Sequence, residues 1–180
     1  MSEQLQRDSP AVSQISHVAL TGGMMWGFIG GLVGTIVMDL VLIGMLSAAG
    51  LPAVISFSTI GDTAAGFFSL IGINVAGGLP LGAAVHYLLG LVLGTIFGAV
   101  VARVDALRVN SLRKGVALAV LYIEVVSQPI LAMSPILLKM SAAETVQWFG
   151  VSAVMHLIWG VVLGALVSYG LRSTTVAKPS

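Results

Sequence analysis

"AVHYLLGLVLG" at residues 84–94 and "AVMHLIWGVVLG" at residues 153–164 nearly repeat each other. Each sets one histidine in an apolar run and follows it with glycines four and eight residues later. Neither run stops there. Extended outward, each reaches the length of about 20 apolar residues that a helix needs to cross roughly 30 Å of hydrocarbon. The rest of the chain is alike: of 180 residues 57% are hydrophobic and only 8% charged, and the mean hydropathy is +1.04. So few charges do not solvate a globule of this size. The composition therefore reads as an integral membrane protein with room for about four crossings.

Apolar length, and the places where charges interrupt it, put the spans at about 22–49, 79–102, 112–133 and 145–171. A polar N-terminal segment, 1–21, precedes them and a tail, 172–180, follows. The N-terminal segment lacks the basic start and short apolar core of a cleaved signal, so the first apolar run is expected to stay as a span. Arg103, Arg108, Arg113 and Lys114 cluster between spans two and three, and Arg172 and Lys178 stand in the tail; the other two connections hold only Lys139 among basic residues. Basic loops stay cytoplasmic, so both termini are expected inside. The net charge of +1 points to no nucleic-acid partner, and the absence of cysteine removes disulfides and thiolate ligands.

Two connections carry more than linker sequence. Between residues 50 and 78, Ile60, Ala64, Phe67, Phe68 and Ile71 fall at helical spacing, which suits a short interfacial helix that anchors at the membrane surface or covers the bundle as a lid. Ser141 and Glu144 have the spacing of a capping box, so the fourth helix should begin there, with Trp148 at headgroup level.

Aligning the two opening stretches superposes His86 on His156, Gly90 on Gly160 and Gly94 on Gly164. Each follows a span with one acid, Asp39 or Glu124. The expected fold is all-α: a four-helix bundle of two tandem hairpins, related by a pseudo-two-fold axis along the membrane normal, plus the short loop helix. At 1.5 Å per residue, Asp39, His86, Glu124 and His156 all lie roughly 10 to 17 Å below the same surface. Intramembrane ionisable groups are expensive and face the bundle, so the four are expected to share one site. Two carboxylates and two neutral imidazoles would suit zinc, iron or manganese. The alternatives are two neutral Asp/Glu–His pairs, a proton or cation relay built from the same groups, or a haem b held by His86 and His156 with the acids unexplained. Met38 and Met155 adjoin candidate ligands but point about 100° away and read as packing.

Around these residues Thr35, one turn before Asp39, and Gln128, one turn after Glu124, are expected as supporting hydrogen-bonding groups. Pro129 should loosen its helix one turn back. Tyr87 and Trp159 are expected to pack or seal. Gly27, Gly31, Gly90, Gly94, Gly98, Gly160 and Gly164 form stripes at four-residue spacing that let helices approach closely, either within the chain or between copies in a homo-oligomer or larger membrane complex.

"SQPILAMSP" at 127–135, followed by "SAVMHLIWG" at 152–160, resembles the second half of small bacterial inner-membrane proteins of the YagU type, which have a proline-rich turn and then a histidine and tryptophan in the last span. That group carries histidine in the third span where this chain has Glu124. The resemblance implies a bacterial inner-membrane location and no particular chemistry. No phosphate loop, HExxH motif or serine–histidine constellation points to catalysis. The expected function is therefore a metal-binding membrane protein, a redox or accessory subunit, with a proton or cation conductor as the alternative.

Overall fold

The computed structural model describes residues 10–176. Among them are five α-helices and no strand: α1 (Pro10–Ala48), α2 (Ile55–Leu70), α3 (Leu79–Arg103), α4 (Leu112–Leu138) and α5 (Ala142–Val176), with a 3-10 turn at Asp105–Leu107. Four are long and apolar enough to cross a membrane, over Leu20–Ala48, Leu79–Arg103, Leu112–Leu138 and Ala142–Ser173. Their outward faces are apolar. Leu40, Leu88, Leu121 and Ile136 are each at least 60% exposed, a surface that hydrocarbon accepts and water does not.

Local chemistry sets the helix ends. Gly78 takes a positive φ of 79° and Pro80 follows in the first turn of α3, where a missing N–H is harmless. Ser111 caps α4 by accepting from the Lys114 N–H at 3.2 Å, and the chain leaves α4 through Lys139 in the left-handed region. At α5 the capping box forms: Ser141 N–H donates to Glu144 Oε2 at 2.7 Å, and Glu144 N–H donates to Ser141 Oγ at 3.3 Å. Two boundaries differ from the sequence reading. α1 begins at Pro10 inside the segment read as a polar lead, because nothing after Pro10 breaks a helix. α4 runs through Pro129 and Pro135 to Leu138; the Leu131 carbonyl, one turn before Pro135, accepts instead from Trp148 Nε1 of α5 at 3.1 Å.

α1 is the central helix, packed on α3 along one side and α5 along the other, and α5 packs on α4. The glycine stripes make these contacts inside the chain. A Cβ on Gly27 would fall on the Gly94 carbonyl, one on Gly31 on the Gly90 carbonyl, and one on Gly98 on the Gly23 carbonyl. On the other side, Gly160 lies against Val120 and Gly164 against Gly115 and Val116. Backbones this close are bought by the absence of side chains, which is how helices gain van der Waals contact when lipid competes for every apolar face.

The helix contacts do not follow the expected two-fold. Under that symmetry the α1–α5 contact has α3–α4 as its counterpart, yet α3 and α4 scarcely touch. At one end of the bundle α2 fills the space between them. It packs closely on α3, where Gly61 and Gly82 meet the facing backbone, and reaches α4 on its other side. At the opposite end the bundle is closed by Phe97, Val101, Leu163, Val167 and Ser168, each no more than 2% exposed.

Candidate functional site: an intramembrane cavity with two imidazoles

Between the α2 end and this plug lies a cavity of about 750 Å³. Its walls are Met38 and Leu42 of α1, Leu89 and Leu93 of α3, Ile123 and Ile130 of α4 and Met155 of α5. α2 forms its cover through Ile60, Ala64, Phe67 and Phe68, four of the five residues whose helical spacing marked the loop. The floor is a clamp between α3 and α4. Tyr122 Oη donates to the Leu93 carbonyl at 3.0 Å, and its ring packs on Phe97 with centroids 5.4 Å apart.

Ser56, Thr59, Glu144, Gln147 and Ser152 reach this space beside the imidazoles, and several other polar groups in it are fixed. Thr35, 1% exposed, donates to the Gly31 carbonyl at 2.9 Å and accepts from Trp159 Nε1 at 3.1 Å. The same indole N–H also reaches the Gly31 carbonyl at 3.2 Å. Trp159 thereby ties α5 to α1, with its ring where a side chain on Gly34 would stand. On the cover, the hydroxyls of Thr63 and Ser134 share a hydrogen bond at 2.9 Å that joins α2 to α4.

His86 and His156 both line the cavity. Behind His86 is Asp39, 4% exposed, whose Oδ1 is 2.9 Å from His86 Nε2. Its Oδ2 is buried with no hydrogen-bond partner among the described residues. Phe57 and Tyr87 present ring edges or faces to the His86 imidazole at 5.6 and 6.0 Å, so aromatic rings hold it in place. His156 Nδ1 is 3.0 Å from Ser127 Oγ, and Ser127 is 4% exposed. In each hairpin, then, the histidine bonds to a polar residue of the other helix: Asp39 in the first and Ser127 in the second.

Ser127, not Glu124, is thus the partner of the second histidine. The two are three residues apart on α4, but Ser127 lies on its buried stripe with Ala119, Ile123 and Leu131. Glu124 is half-buried and absent from the cavity wall. Gln128 is exposed, also away from the wall, so it does not support the site; Thr35 does. Among the described residues no three His, Cys, Asp or Glu side chains come together as a metal-binding group. Asp39 and His86 meet, and Glu124 lies outside the cavity wall. His86 Nε2, the nitrogen that a haem iron would take, lies 2.9 Å from Asp39 Oδ1. The stretch from 127 to 135 could have signalled Ser127, since a serine one turn beyond Glu124 on an apolar helix is itself a polar group in search of a partner.

The fold and cavity define a helical membrane protein with a largely apolar chamber near one end of its bundle. Comparison with family models, with curated proteins and with solved structures found no match.

Proposed function

We propose that the chain is a membrane-embedded binding protein for a small lipid-soluble molecule, which it holds in the cavity under α2 with the polar end of the ligand at His86 and His156. The observation that carries this reading is the cavity itself: about 750 Å³, within the range of small-molecule sites, apolar in its walls and supplied with a few converging polar groups. The sealed end weighs against a simple proton or cation conductor. A relay through Asp39, His86 and His156 would end on Phe97, Val101, Leu163 and Val167, beside which the hydroxyl of Ser168 is already spent on the Gly164 carbonyl. Glu124 lies outside the cavity wall, which weighs against a divalent metal held by all four expected ligands. The charge distribution and the resemblance noted above support a bacterial inner-membrane location with both termini cytoplasmic.

Purified protein in lipid nanodiscs, titrated with bromodecanol, tests the proposal, because bromine quenches nearby tryptophan and Trp148 and Trp159 line the chamber. Saturable quenching with about one site is expected, lost when Ala64→Trp fills the cavity. Quenching that rises without saturation, or is unchanged in A64W, would overturn it. Equimolar zinc, iron or manganese in the purified protein, lost in Asp39→Asn, would instead restore the metal reading.

A further inference from the structure

Hydrogen-bond accounting at the two imidazoles narrows the ligand, and it rests on the cavity reading above. Ser127 has no partner other than His156 Nδ1. If it merely accepted from that nitrogen, its own proton would be left without an acceptor in an apolar interior, which is costly. Ser127 therefore donates to Nδ1, and the His156 proton sits on Nε2. That nitrogen has no partner among the described residues, and the ring lines the cavity.

At His86 two states are neutral overall with both the Asp39 and the Nε2 protons accounted for by their mutual hydrogen bond. In one, Asp39 is ionised and His86 is doubly protonated, with Nε2–H donating to Oδ1. In the other, a protonated Asp39 donates to Nε2 of a neutral ring. Nδ1 carries a proton in both. A third neutral state, with the Asp39 proton on Oδ2 and Nε2–H donating to Oδ1, leaves Nδ1 bare but buries an O–H with no acceptor among the described residues. The only other state that bares Nδ1 puts an uncompensated charge inside a membrane bundle. The Thr35 hydroxyl proton is already used on Gly31. The chamber is thus furnished with two N–H donors, from α3 and α5, two helices that scarcely touch each other, and neither ring offers it an acceptor.

We infer that the ligand is a lipid-soluble quinone, bound with one ring carbonyl at His86 Nδ1 and the other at His156 Nε2, and its tail along the apolar walls. A flat ring with two carbonyl acceptors on opposite edges and no donor answers two separated N–H groups. Alcohols, amines and protonated acids bring a donor that neither imidazole accepts. A carboxylate would add net charge to a neutral site.

The test is a titration of nanodisc-embedded protein with 2-decyl-1,4-benzoquinone, decylbenzene and decanoic acid, read by tryptophan quenching for the quinone and by competition with bromodecanol for the others. The quinone is expected to bind at least tenfold more tightly than decylbenzene. His156→Phe keeps the ring volume and lets Ser127 turn to its own helix; it should reduce that preference several-fold, leaving the part that His86 supplies, while decylbenzene still binds. Equal affinity for quinone and decylbenzene in the wild type, stronger binding of decanoic acid, or an undiminished preference in H156F would overturn the quinone assignment and leave the cavity reading standing. If none of the three binds saturably, the cavity reading falls as well.

Discussion

At the level of single residues the protein rests on a small number of polar contacts in an apolar interior. The Asp39–His86 pair is the most exacting. Leaving one member of a buried pair alone costs about 3–5 kcal/mol, whereas replacing both with apolar groups is often neutral. Asp39→Leu is therefore expected to lower the thermal midpoint of the detergent-solubilised protein markedly, and D39L with His86→Leu should recover most of the loss. Equal destabilisation by the single and double variants would mean that the pair is not coupled. Ser127 makes a second, subtler prediction. In Ser127→Ala the His156 ring loses the donor that holds its proton on Nε2, so the imidazole 15N spectrum should show a mixture of tautomers where the wild type shows one. An unchanged spectrum would remove the hydrogen-bond argument for a donor at that position.

Among the elements, α2 and the glycine stripes behave differently because they are held differently. α2 is fixed to α3 by backbone contacts at Gly61 and Gly82, and Asp62 Oδ1 accepts from the Gly78 N–H at 2.8 Å. Toward α4 its one hydrogen bond among the described residues is that between Thr63 and Ser134. The cover should therefore swing on its α3 side and release on its α4 side. Thr63→Val with Ser134→Ala is expected to speed bromodecanol exchange several-fold with little change in affinity; equal rates would show that the ligand enters elsewhere. The α1–α3 seam has no such freedom. Gly31→Leu should abolish a monodisperse folded species in size-exclusion chromatography, since a Cβ there already meets the Gly90 carbonyl. Gly44→Ala, with nothing within 4 Å, should leave the protein intact.

For the molecule as a whole, the charge asymmetry predicts one orientation. Because the chain has no cysteine, single cysteines report topology without background. Arg108→Cys, in the basic connection between α3 and α4, should react with an impermeant maleimide only when the cytoplasmic face is accessible, and Lys139→Cys only from the other side. The reverse pattern would invert the protein in the membrane and place α2 and its cavity on the cytoplasmic side.

Much of this was readable along the chain, because burial in lipid imposes long apolar runs and leaves little choice about secondary structure. The four spanning helices, the capping box at Ser141, the loop helix with its Ile60, Ala64, Phe67 and Phe68 face, and the close-packing role of the glycines all follow from local spacing. Thr35 and the paired histidines were visible as polar groups that had to face inward. What periodicity does not contain is the rotation of each helix about its axis and the choice of neighbour. A three-residue step on α4 puts Ser127 rather than Glu124 against His156, and α2 takes the place beside α3 that symmetry reserved for α4. Those outcomes depend on how side chains and backbones fit across helices, so only the tertiary packing decided that Asp39 and His86 form a pair, that Glu124 stands apart, and that an apolar chamber opens between the two imidazoles.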